Sequence, residues 1–156
     1  MRRVRVVGVG SPGSGDDEIG LLAVRAARPE LERLGVEVRE VAAAAHLLDA
    51  LEGADAVIVV DAVRAPGLEP GAIVRVEAGP GGLPAELRAS LSSHGFGVAE
   101  AVALAMALPG VPPRIVVIGS QASETRAGSS VSDPTLAALP ELAARVLAEA
   151  SVLRAD

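Results

Sequence analysis

Short apolar runs rich in β-branched residues alternate along this chain with longer segments in which alanine and leucine recur at helical spacing. Val4 to Val9 is the first such run and predicts a strand that ends at a glycine. Glu18 to Arg28 follows as a helix, with Ile19, Leu22, Ala23 and Ala26 on one face, and Pro29 is expected to end or kink it. Val36 to Val41 alternates in polarity like a second strand, and Ala42 to Leu51 reads as helix because alanine and leucine favour that state. Ala56-Val-Ile-Val-Val60 is unbroken and stops at Asp61, the mark of a buried parallel strand. After a Pro/Gly turn, Gly71 to Glu77 predicts a half-exposed strand, followed by a loop at 79–83. Phe96 to Leu108 predicts a helix and 109–113 a connector. Arg114 to Ile118 predicts another buried strand, ending at Gly119. A polar loop over 121–132 leads to Asp133, an expected N-cap with Pro134 in the first helical position, and to a final amphipathic helix reaching about Leu153.

This alternation predicts an open α/β sheet with helices on both faces. No repeat, linker or boundary interrupts it, so the expectation is a single domain over 1–156. Ligands of such sheets bind beyond the carboxyl ends of the strands. Asp17 follows the first strand, Asp61 ends the Ala56–Val60 strand and His94 lies in a loop before a helix, so all three are expected to converge on that edge.

Composition narrows the choices. Half of the 156 residues are hydrophobic and Phe96 is the only aromatic residue, so the core must be built from valine, leucine, isoleucine and alanine. The formal net charge of −6 argues against a generally basic nucleic-acid-binding surface. With no cysteine there is no disulfide, thiolate metal site or cysteine nucleophile. No segment approaches the roughly 20 apolar residues that span a membrane. Arg2, Arg3 and Arg5 precede an apolar run too short and glycine-broken for a signal peptide. The expectation is a soluble cytoplasmic protein that works without nucleic acid or membrane, with the alanine-rich last helix serving as core or as a weak dimer contact.

The chemistry begins in Gly8-Val-Gly-Ser-Pro-Gly-Ser-Gly-Asp-Asp-Glu-Ile-Gly20. A glycine-rich loop after a first strand usually cradles phosphate. Here Asp16, Asp17 and Glu18 stand where the helix begins; they would repel a phosphate and suit a cation. Acids in a first helical turn are also favoured by the dipole alone, and a lone loop histidine is commonly just surface. His46, in an alanine-leucine stretch, reads as structural or exposed. Two carboxylates and one imidazole suit a divalent transition metal with open positions, and softness does not separate nickel from zinc or iron. A Ser-His-Asp hydrolase is weaker, since no Gly-x-Ser-x-Gly elbow occurs. A dinucleotide site is weaker still, with Glu40 its only acid for a ribose.

Three blocks in order resemble the hydrogenase maturation endopeptidases. Gly8-Val-Gly10-Ser11 to Asp16-Asp17-Glu-Ile-Gly20 looks like that family's opening motif. Ala56 to Asp61-Ala62-Val63 looks like its apolar strand ending in Asp-Ala, and Ser93-His94-Gly95-Phe-Gly97 is similar to its histidine loop. The resemblance implies a three-layer α/β sandwich with a twisted, mostly parallel sheet. It implies a peptidase that removes a C-terminal peptide from the precursor of a nickel-iron hydrogenase large subunit, recognising nickel already inserted there. Asp17, Asp61 and His94 would bind that metal, and Asp17 and Asp61 would carry the chemistry. Asp16 would support them by orienting the loop or assisting proton transfer, and Gly10, Ser11 and Gly95 would contact substrate. The chain departs from the family pattern at Ser11, where the family has Asn. It departs again at 40–46, where a Gly-Gly-Thr-like segment is usual. A non-catalytic metal-dependent binding or chaperone module of the same fold is the alternative, followed by a nucleotide-binding α/β domain.

Overall fold

The computed structural model describes residues 2–85, 88, 97–109, 112, 114–123 and 125–156. Five strands form one sheet in the order β2-β1-β3-β5-β4: β1 Val4–Val9, β2 Glu37–Val41, β3 Ala56–Val63, β4 Ile73–Glu77 and β5 Arg114–Gln121. The first three and β5 are parallel, and β4 closes one edge antiparallel to β5. The α-helices whose bounds lie among the described residues are α1 Ile19–Arg33, α2 Leu47–Leu51, α3 Val98–Ala107 and α4 Asp133–Ala155.

Side-chain alternation along the inner strands divides the core into two layers. Val4 and Val6 of β1 and Ala56, Ile58 and Val60 of β3 pack with α1 and α4. Val7 and Val9, with Val57, Val59 and Val63, pack with α2 and α3. The open α/β sheet with helices on both faces that the alternation predicts is therefore present, as is the sandwich the resemblance implies, with valine and alanine filling most of the core. Among the described residues no helix is long and apolar enough to cross a membrane.

Several boundaries differ from expectation. Pro29 neither ends nor interrupts α1, which runs on to Arg33. The proline is exposed, as is Arg25 four residues earlier, whose carbonyl loses its helical partner. Pro140 sits in α4 in the same way. The buried line of α1 is Ile19, Ala23, Ala27 and Leu31, which leaves Leu22 half-buried and Ala26 exposed. Ala42 to Leu51 is helical only in part: a 3₁₀ turn over Ala44–His46 precedes the five residues of α2, and His46 is exposed. Ser132, rather than Asp133, occupies the N-cap of α4. Both buried strands continue past their expected ends, β3 by two residues beyond Asp61 and β5 by two beyond Gly119.

From β1 the chain turns to β2 on one side and then crosses back to β3 on the other. The switch point of the sheet lies between the carboxyl ends of β1 and β3, where open α/β sheets form their crevice.

Candidate active site

The acidic segment after β1 is brought to that switch point by glycine. A Cβ on Gly20 would lie 2.3 Å from the carbonyl oxygens of both Val9 and Val60. Only glycine lets the start of α1 rest on the ends of β1 and β3. A Cβ on Gly8 would meet the Gly20 oxygen at 2.6 Å, and one on Gly10 the Asp17 oxygen at 2.5 Å. These glycines thus serve close backbone packing. The loop folds back on itself and sets a 3₁₀ turn, Gly15–Glu18, directly against Gly10. Gly10 also donates to the Val41 carbonyl at 3.1 Å, which fixes the loop beside the end of β2.

The three consecutive acids have three different surroundings. Asp16 is wholly buried and its two oxygens accept from both the backbone and the hydroxyl groups of Ser123 and Ser132, at 2.7–3.2 Å. Glu18 accepts from the Gly13 N–H at 2.9 Å and closes the loop on itself. Asp17, between them, is half-buried, and its charge acts on Asp61.

Asp61 lies within β3, opposite Gly119 of β5. Its place in the alternation puts it on the α2/α3 side of the sheet, with Val59 and Val63. It is 7% exposed, and its only hydrogen bond to a described residue is 2.8 Å, from the Ala62 N–H to Oδ1. Burial holds its carboxyl well above the ordinary carboxylate range, and repulsion from Asp17 adds to the rise. The Ala62 N–H and the Arg64 guanidinium oppose that rise without cancelling it. With one donor among the described residues and a like charge beside it, this buried carboxylate is undercompensated, an arrangement that a bound cation would relieve.

Ser11 is half-buried and its carbonyl accepts the Ser14 N–H at 3.1 Å, as part of the turn. His94 and Gly95, and Phe96 at the expected start of α3, lie outside the described residues. Among the described residues no group of three or more histidine, aspartate or glutamate side chains is gathered for a metal ion. The described part of the candidate site is the Asp17–Asp61 pair. Glu40, the acid that a ribose site would need, is bound instead to Arg25 at 2.7 Å, with Arg28 alongside at 3.6 Å. The hydrogen bond from Arg25 holds its carboxyl below the usual range.

Reading the sequence did not assign any role to Ser123, Ser132 or Thr135. Ser132 bridges Asp16 and the buried Thr135, its hydroxyl 3.1 Å from Thr135 Oγ1. The Ser-Asp-Pro string at 132–134 marks a helix start, yet nothing local shows that its serine faces an acid 116 residues away.

Fold and site together define an α/β-sandwich protein that sets two carboxylates, Asp17 and Asp61, at the switch point of a mostly parallel sheet. The HycI model of the hydrogenase maturation proteases matches residues 42–149, and the chain belongs to that family. Asp61 and His94 fall inside the matched span; Asp17 precedes it. The fold is shared with solved structures at low identity. The hydrogenase maturating endopeptidase HybD from E. coli superposes with a TM-score of 0.72 at 20% identity, over 94% of this chain and 91% of that one. An endopeptidase from Escherichia coli gives 0.76 at 22%, over 94% and 90%. The [NiFe] hydrogenase maturation protease HybD from Thermococcus kodakarensis gives 0.69 at 24%, over 95% and 99%. No curated protein matches the sequence. Membership makes this chain a peptidase of hydrogenase maturation, acting on a large-subunit precursor.

Proposed function

We propose that this endopeptidase removes a C-terminal peptide from a hydrogenase large-subunit precursor that already carries nickel, and that Asp17, Asp61 and His94 hold that nickel during the cut. The observation that carries the proposal is Asp61: buried at the switch point, supplied with one hydrogen bond among the described residues and set beside a second carboxylate. In this reading the metal is part of the substrate. It positions the precursor and polarises the scissile carbonyl when bound.

The chain's own groups then divide the work. In the free protein Asp61 keeps a proton to higher pH than an ordinary carboxyl does, because burial and Asp17 both disfavour the charge. A precursor whose cation favours the ionised form would displace that proton, so recognition and deprotonation are coupled. Asp17, half-buried at the edge, would help hold the metal and orient the attacking water. Gly10 and Ser11, beside the end of β2, and Gly95 would contact the peptide. A carboxylate-centred peptidase needs no serine or cysteine nucleophile, in keeping with the cysteine-free sequence.

The experiment mixes the purified protein with nickel-loaded precursor and reads intact mass. Wild type should remove a C-terminal fragment, and Asp17→Asn and Asp61→Ala should leave the precursor whole. Full processing by Asp61→Ala would overturn the proposal. A stable complex with no change of mass would show a binding module in place of a protease.

A further inference from the structure

We infer that Asp16 is a positioning residue, whose buried carboxylate staples the loop after β5 to the 3₁₀ turn and so sets Asp17 against Asp61. The role rests on the Asp17–Asp61 reading above. It separates two functions left open for Asp16, orienting the loop and transferring a proton. Asp16 has no exposed surface, and both oxygens are occupied: Oδ1 by the Ser132 N–H at 2.7 Å, Oδ2 by the Ser123 N–H at 2.8 Å and by the Ser132 and Ser123 hydroxyls at 2.7 and 3.2 Å. A carboxylate so enclosed does not reach a substrate, whereas charge-assisted bonds to two backbone amides give it strong hold over a loop.

The staple has company. Gly15 N–H donates to the Ser129 carbonyl at 3.1 Å, and Gly128 N–H to the Gly13 carbonyl at 2.7 Å. Gly13, Gly15 and Gly128 take positive φ of 78°, 57° and 83°, which lets the two loops run close together. The Ser123 and Ser132 hydroxyls lie 3.1 Å apart, and Ser132 continues to Thr135 in the first turn of α4. The loop after β1, the loop after β5 and the start of α4 are therefore tied to one another by hydrogen bonds. Asp17 is one residue along from the staple, so a shift of Asp16 is passed directly to it.

The test uses the full chain with two variants and two readouts. Asp16→Asn replaces an acceptor oxygen with an amide donor facing serine N–H and hydroxyl groups. Ser132→Ala removes a hydroxyl partner and leaves Asp16 itself untouched. On nickel-loaded precursor, Asp16→Asn should lower kcat/KM by about 10- to 100-fold, the range for losing an outer-shell partner of a metal-binding group. Ser132→Ala should lower it severalfold, chiefly in kcat, and both variants should keep the shape of the wild-type pH–rate profile. By hydrogen exchange, the Ser123, Ser132, Gly15 and Gly128 amides should lose protection together in each variant. This second readout does not depend on processing: if Asp17→Asn proves fully active, the exchange result still decides whether the staple exists. Should Asp16→Asn fail to fold, Ser132→Ala and Ser123→Ala decide on the same readouts. The inference is overturned if Asp16→Asn removes one limb of the pH profile while Ser132→Ala is silent, since Asp16 would then carry a proton. Unchanged exchange in the serine variants would overturn it as well.

Discussion

Arg5 and Asp61 are both ionisable residues buried on inner strands, one near each end of the sheet, and their surroundings differ. At the amino end, Arg5 Nε donates to Glu37 at 2.6 Å, and its Nη1 donates to the carbonyls of Ala50, at 2.7 Å, and Glu52. These carbonyls end α2, where a helix leaves its acceptors unpaired and favours a cation. Arg154 does the same for the chain after α1, donating to Leu34 at 3.0 Å and to Arg2 at 2.5 Å. At the carboxyl end, Asp61 has one donor among the described residues and a neighbouring carboxylate that repels it. The difference teaches which end is scaffold. Burying a charge is tolerable when its bonds are satisfied and costly when they are not. A protein keeps the costly arrangement where function needs it.

Breaking this contrast at its functional end gives the largest effect. Asp61→Asn should lower processing by at least about a hundredfold, the upper range for losing even an outer partner of a metal site. The same substitution should raise the unfolding midpoint at neutral pH, because it keeps the bond from Ala62 and removes a charge that burial disfavours. Gly20→Ala attacks the packing that forms the switch point. Its Cβ has no room against two backbone carbonyls, so calorimetry should show a loss of about 3 kcal/mol or more, with processing falling as the ends of β1 and β3 are pushed apart. At the scaffold end, Arg5→Met should cost about 3 kcal/mol in urea unfolding, and should leave activity per folded molecule unchanged. Glu37→Gln is the smallest change. Glu37 is about half exposed, so its pair with Arg5 should be worth less than about 1 kcal/mol in the same assay.

How far the sequence could be read follows the range of the interactions. The valine-rich runs announce β1, β3 and β5 because a buried strand needs nothing beyond its own residues to be recognised. The alternation over 36–41 announces β2 in the same way. Pro29 misled because a proline's cost depends on its surroundings, and here both the proline and Arg25, whose carbonyl loses its partner, are exposed. Asp61 was conspicuous as a polar end to an apolar run, but the run does not end there; the strand continues because β5 pairs with it as far as Val63 and Gln121. Strand order could not be read from local pattern, so neither could the switch point that brings Asp17 and Asp61 together. The Asp16 staple was hidden for the same reason: its serines are 107 and 116 residues away.

The most direct test of the contrast is the difference in unfolding free energy between wild type and Asp61→Asn, measured in urea from pH 4 to pH 8 without metal. The raised pKa of Asp61 in the folded state sets the sign. Its stabilising effect is complete below the ordinary carboxylate range and is lost as pH rises through the folded value, beyond which the buried charge costs stability. Asp61→Asn should therefore gain on wild type as the pH rises and be the more stable protein near neutrality. A difference that stays flat with pH, or a variant less stable throughout, would contradict the account and make Asp61 one more satisfied residue of the scaffold.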